Sequence, residues 1–282
     1  MSNRLVLIAV AAALWLGLAG GAAARGFDDI TAAGELVIAV YRDFAPFSSR
    51  ESGELAGIDI DLGAAIAARL GLKPVFMELT AGESVDDDLR NAVWKGHYLE
   101  HRVADVMLHV PTDRLFARRQ TEAVLLAPYY RERVAVARNP ERVNSRDDVD
   151  VFTEEKVGVE LASLADAYLS GRMAQRGRAA NVVHFPTLAK AVDALVHGDV
   201  AAVMGSESEI AARLGAHGHD FPLGPMACPG LSQTGWDLGL AVKDSNRQLG
   251  YALDDVIGQL RADGTIAGIF HRHGLGYLPP ED

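Results

Sequence analysis

The feature that most limits the fold of this chain is a strand–helix alternation that runs once, stops, and starts again at Lys156. Leu36–Val40 is a short apolar run after Gly34 and Glu35 and predicts a buried strand. Ile58 and Ile60 alternate with Asp59 and Asp61 in a short extended-looking run. Leu62, Ile66 and Leu70 then repeat at helical spacing, with Gly71 at the stop. Pro74–Leu79 predicts a second strand, and Val103–Val110 a third. Between them Leu89–Lys95 reads as a helix fronted by Asp86–Asp88, acidic residues suited to the positive end of a helix dipole. From Lys156 the pattern returns: strand Val157–Glu160, a helix opened by Ala162 and Ser163, and strand Val182–Phe185. A helix striped by Leu188, Val192 and Leu195 then runs to Gly198, and strand Val200–Met204 follows. Ser245 is placed to cap a long helix striped by Leu249, Leu253, Val256 and Leu260. Gly264 stops that helix, and Ile266, Ile269 and Phe270 line a last short one. Strands separated by helices call for a parallel sheet covered on both faces. Two such sets, joined by crossings at Tyr130–Arg138 and Thr234–Val242, predict an α/β protein of two lobes.

The first 24 residues read as an export leader: Arg4 as the positive start, Leu5–Leu18 apolar, and Ala22 to Ala24 as the small-residue cleavage site. That apolar stretch is short for a membrane anchor, and no cysteine follows it to carry a lipid. The expected mature chain starts near Arg25 and is periplasmic. The formal net charge of −11 disfavours nucleic acid, whose phosphates need basic neutralisation. A single cysteine, Cys228, has no disulfide partner within the chain; between Ala227 and Pro229 it reads as a buried thiol.

Two segments carry a resemblance. The first, APFSSRESGELAGIDIDLGAAIAARLG, places an aromatic turn (Phe44, Pro46, Phe47) and a hairpin at Ser52–Gly53 before a helix. The second, DLGLAVKDSNRQLGYALDDVIGQLRADGTIAGIFHRHG, runs from a strand through a helix ending at Asp-Gly-Thr. Both resemble the family 3 periplasmic solute-binding proteins, the amino-acid-type receptors of ABC transporters. The resemblance implies a type 2 periplasmic binding protein fold, a venus flytrap of two mostly parallel, helix-flanked sheets with a two-strand hinge. Residues 25–133 plus 236–282 would form lobe 1 and residues 134–235 lobe 2, with ligand in the crevice between them. It also implies a small carboxylate-bearing ligand, an ABC permease as partner, no cofactor and no catalysis, in a monomer.

Motif matching then proposes the pocket. Arg119 lies ten residues before Tyr129, where the family holds the ligand carboxylate, and a guanidinium offers paired donors for that task. Ser163 falls at a helix start whose amides can meet an anion, although a serine there can equally be an ordinary N-cap. Phe44 occupies the position of a stacking aromatic, with Tyr41 and His109 at neighbouring strand ends that point to the crevice. Each of Phe44 and His109 could instead be core.

The acids that hold a ligand ammonium in this family fall at Tyr41 and Ser206, with Glu207 one residue away; this argues against an ordinary α-amino acid. The segment WKGHYLEHRVADVMLHVPTD is longer than usual and, with APYYRERVAVAR, is similar to a subset associated with PQQ-dependent alcohol dehydrogenases. That similarity implies an alternative role as partner of a periplasmic quinoprotein dehydrogenase or its cytochrome, including methanol oxidation. A third reading is a cyclohexadienyl-dehydratase-like enzyme, with Glu160 or Glu207 as its acid. The pairs His97/His101, His217/His219 and His271/His273 lack the three or four convergent ligands of a metal site and read as solvated.

Overall fold

The computed structural model of the chain describes residues 24–99, 101–144 and 148–281. The leader expected over residues 1–24 lies, apart from Ala24, outside them. The first lobe's elements begin with α1 (Phe27–Ala33), β1 (Glu35–Tyr41) and a hairpin of β2 (Ser49–Glu51) and β3 (Glu54–Ala56). Next come α2 (Ile58–Arg69), β4 (Lys73–Leu79), α3 (Val85–Leu89), β5 (Val106–Pro111) and the four-residue α4 (Arg114–Ala117). A long strand, β6 (Ala123–Arg138), crosses to β7 (Val157–Glu160), α5 (Leu164–Gln175), β8 (Val182–Phe185), α6 (Leu188–His197) and β9 (Ala202–Ser206). After α7 (Glu207–Leu214) and β10 (Leu223–Gly224), β11 (Gly235–Lys243) crosses back to α8 (Arg247–Ala262) and α9 (Thr265–Arg272).

Among the described residues nine strands join in one sheet, ordered β4-β1-β5-β11-β6-β9-β7-β8 with β10 beside β6. The two ends of that sheet are parallel: β1 with β4 and β5, and β7 with β8 and β9. Its middle is antiparallel, β11 pairing with β5 and β6, and β6 with β9. At about 3.4 Å per residue, β6 is roughly 50 Å long, enough to belong to both halves. Alternate residues of β1 feed opposite faces, Ile38 and Val40 into one core and Ala39 into another, as a strand's two-residue period requires. Leu240, Leu253 and Phe270 from the chain's end share the first of these cores. A second pair of cores, around Val159, Leu169 and Met204 and around Leu188, Leu195 and Ile210, draws only on residues between Val134 and Trp236.

Four local expectations change. The Ile58–Asp61 alternation is the first turn of α2, because Ile58 N–H and Asp59 N–H donate to the carbonyls of Pro46 and Phe47 and start the helix early. The helix expected over Leu89–Lys95 starts at Val85, capped by Ser84, and its last turn, Arg90–Trp94, is π-helical. Asn246, not Ser245, sits at the N-cap of α8; its amide donates to Arg25 O at 2.8 Å. Cys228 is only half-buried, its thiol directed to Met226 O and pushed upward in pKa by burial.

Candidate functional site in the crevice

The first wall is built on the aromatic loop after β1. Gly57 makes that loop possible: at φ 131° an added Cβ would stand 2.2 Å from Phe47 O, so only glycine admits the chain there. The loop's carbonyls satisfy the opening N–H groups of α2, which have no partner inside the helix. Phe44 and Phe47 consequently stack at 5.4 Å between ring centroids. His109, near the end of β5, lies edge-on to Phe47 at 4.2 Å and to Phe44 at 4.9 Å. It adopts φ 63°, a left-handed conformation uncommon for a side-chain-bearing residue. Tyr41 stands edge-on to Phe44 at 5.8 Å and donates its hydroxyl to Asp88 at 2.8 Å.

Behind His109 lies Asp59, fully buried in the first turn of α2. Its Oδ1 accepts the Tyr129 hydroxyl at 3.0 Å, while Oδ2 faces His109 Nδ1 at 3.4 Å. Neither Oδ2 nor Nδ1 makes a well-formed hydrogen bond, so the acid and the imidazole are held by proximity and by the helix's positive end.

The floor is the crossing strand β6. Glu132 is buried there and accepts from the Arg133 N–H at 2.9 Å and from Ser208 Oγ. Burial pushes its carboxyl upward; those hydrogen bonds and the nearby His109 act in the opposite direction. Arg133 grips Glu207 with two nitrogens, one at 2.8 Å.

The second wall is formed by the ends of β7 and β9. A cavity of about 220 Å³ is lined there by Glu160, Ser163, Leu188, Ser206 and Trp236, among others. Ser163 is the N-cap of α5, its Oγ accepting the Asp166 N–H at 3.1 Å. Asp166 answers by accepting the Ala162 N–H at 2.8 Å. The turn that leads into α5 thus already holds a carboxylate of its own chain. Burial would raise Asp166, yet Ser170, the Ala162 amide and His184 hold it below the usual range.

Glu160 is pushed upward by burial, relieved in part by the Leu188 N–H. Glu209 is pushed up to about 7 by burial first, with the charges of Glu160 and Glu132 adding; the Ser206 hydroxyl and His109 oppose the shift. Glu160 from the second wall and His109 from the first thus both act on Glu209 electrostatically.

Of the residues expected from the sequence, Tyr41, Phe44 and His109 come together on the first wall, and Ser163 and Ser206 on the second. Glu207 is engaged by Arg133. Arg119 is on an exposed turn after α4, its guanidinium 5.7 Å over the Phe116 ring, and it is not among the residues lining the 220 Å³ cavity. The reading of the histidine pairs as solvated changes at His273, which is half-buried against Asp61 at 3.2 Å. Asp59, Glu132, Glu209 and Trp236 were not singled out as binding residues. Asp59 reads as one member of a short alternating run, and Glu132, between Arg131 and Arg133, looks like a solvated charge. Larger cavities of 650 Å³ beside Arg131 and Asp237, and 410 Å³ beside Tyr251, gather none of the residues expected from the sequence.

Comparison with known proteins agrees with this fold. Residues 36–96 match the family described as bacterial extracellular solute-binding proteins, family 3. A search of curated proteins finds no match. An ancestral cationic amino acid solute binding protein superposes with a TM-score of 0.67 at 19% identity, over 87% of this chain and 97% of that one. An amino acid ABC transporter substrate-binding protein from Streptococcus pneumoniae, bound to L-arginine, gives 0.62 at 19% identity over 89% and 98%. A histidine kinase sensor domain similar to periplasmic binding proteins gives 0.60 at 20% identity over 87% and 98%. The chain has the two-lobed α/β fold of the periplasmic binding proteins, and its first β–α–β segment carries the family 3 solute-binding match.

Proposed function

We propose that this chain is a periplasmic solute-binding protein of the amino-acid ABC-transporter type, holding one small solute in the crevice between residues 25–133 plus 236–282 and residues 134–235. The observation that carries the reading is convergence. Two walls from distant parts of the chain present Phe44 and His109 on one side and Glu160, Ser163, Ser206 and Trp236 on the other. Strand ends at a topological crossing are where open α/β sheets bind ligands. The family 3 match over residues 36–96 and relatives described with cationic amino acids and L-arginine support it. An amine on the solute would meet Glu160 or Glu209. A carboxylate, the group expected from the sequence, would have to compete with Asp166 at α5 or draw Arg119 in from the surface.

The test is a thermal-shift and calorimetric panel of amino acids, organic acids and amines on the mature chain. A solute present at a hundredfold excess over its Kd adds about 2.7 kcal/mol to the folded state, a shift that is easily seen. Arg119→Ala is expected to change affinity less than twofold; a tenfold loss would return Arg119 to the site. No shift with any solute, together with a quinoprotein dehydrogenase that co-purifies, would replace the receptor reading with the accessory one.

A further inference from the structure

We infer that the crevice selects its solute by a positive charge and does not require a carboxylate: the ligand class is a small organic cation with an apolar stem. This deepens the solute-receptor reading and rests on it. The cavity beside Glu160 is walled by Trp236, Leu164, Leu188 and Val134, all carbon-rich surfaces, with the carboxylate of Glu160 as its charged group. No Lys or Arg is among its lining residues. The basic group nearest the α7 end, Arg133, is taken by Glu207 in a two-nitrogen contact. Glu160, which takes the Leu188 amide, and Glu209, which takes the Ser206 hydroxyl, act on each other as like charges, and among the described residues neither is ion-paired. Like charges brought this close repel, and an ammonium or guanidinium between them relieves the repulsion.

The opposite end of the argument is equally concrete. An anion in this family of folds looks to helix amides, but the start of α5 already carries a carboxylate: Asp166 accepts the Ala162 N–H just before the cap, and its own N–H goes to the Ser163 hydroxyl. A second carboxylate would sit against Asp166, Glu160 and Glu209. An indole face is, by contrast, a good seat for a cation. At about 30 Å³ per water-sized group, the 220 Å³ cavity has room for about seven, the size of a short amine.

Lysine, cadaverine and glutarate form the series for the test: lysine and cadaverine share a five-carbon stem with an amine at each end and differ in the carboxylate that only lysine carries, and glutarate, also five carbons long, carries carboxylates alone. Calorimetry on the full mature chain is expected to show cadaverine binding at least as tightly as lysine, and glutarate not binding. Glu160→Gln is expected to weaken cadaverine tenfold or more, with Glu209→Gln as the second variant should the first fail to fold. Lysine binding tenfold tighter than cadaverine, glutarate binding at all, or unaltered cadaverine affinity in the folded variant would overturn the inference while leaving a receptor. Silence with these three, alongside binding of some other amino acid or acid, would do the same. Silence across the entire solute panel would remove the receptor reading itself.

Discussion

Replacing Glu209 by glutamine removes a charge that the fold holds at a disadvantage, and its effect on stability depends on pH in a direction fixed by the structure. The carboxyl ordinarily titrates at 4.5 and here is pushed up to about 7. Below about pH 4.5 it is protonated in both folded and unfolded chains. Between 4.5 and 7 the unfolded chain releases the proton and the folded chain keeps it, so stability falls as pH rises. Above about 7 the fall is complete. At 1.36 kcal/mol per pH unit the full displacement amounts to about 3 kcal/mol. Glu209 keeps some contact with solvent, so that figure is a ceiling and about 2 kcal/mol is the working expectation. The assay is urea unfolding of wild type and Glu209→Gln at pH 5, 6, 7 and 8, plotted as the difference between them. Asp88, Glu132 and Glu160 are also displaced upward and slope the same way, but they are present in both proteins and largely cancel in the difference. The variant should gain on wild type steadily from pH 5 to 7 and then hold level. A difference that stays flat over the whole range would refute the burial of this carboxyl among Glu160, Glu132 and His109.

Two further substitutions probe the wall behind the crevice. Gly57→Ala puts a Cβ 2.2 Å from Phe47 O at φ 131° and should lose about 2–4 kcal/mol in urea unfolding. Gly71→Ala, also at positive φ but with open space around it, should lose only about 1 kcal/mol; equal losses would show that the close approach to Phe47 is not the cause. Tyr129→Phe takes the hydroxyl from Asp59 Oδ1, leaves a fully buried carboxylate with His109 alone, and should lose about 1–3 kcal/mol. An unchanged midpoint would mean that water or a rearranged His109 takes the vacated place.

The alternation of strands and helices was legible because each element is short, bounded by glycine or a cap, and buried on a predictable period. Val157–Glu160, Val182–Phe185 and the helix to Gly198 agree with the sequence to the residue. The Ile58–Asp61 stretch was misread for a physical reason. Four residues alternating apolar and acidic fit a strand's two-residue period, but a helix buries them as well when a loop supplies acceptors for its first N–H groups. Pro46 and Phe47 supply them; within residues 58–61 the signal for a helix start is the pair of acids, Asp59 and Asp61, in its first turn. Arg119 shows the other kind of limit. Spacing along the chain locates a residue within a loop but not the direction of its side chain. After a four-residue helix, Phe116 was close enough to take the guanidinium.

Glu207 and Glu209 make the same point within one helix. Both follow β9, both are acidic, and the sequence prefers Glu207 only because it adjoins Ser206. Two residues on an α-helix are about 200° apart around its axis, so the pair must face nearly opposite ways. Which one faces the crossing strand is tied to Arg133, 74 residues earlier, whose guanidinium holds Glu207 through two nitrogens and so fixes the helix's rotation. Glu209 is then carried inward, toward Glu160 from one strand end and Glu132 from another. The charge of the crevice is therefore a property of how β6 lies against α7, and a change at Arg133 should alter the crevice's electrostatics without touching any residue that lines it.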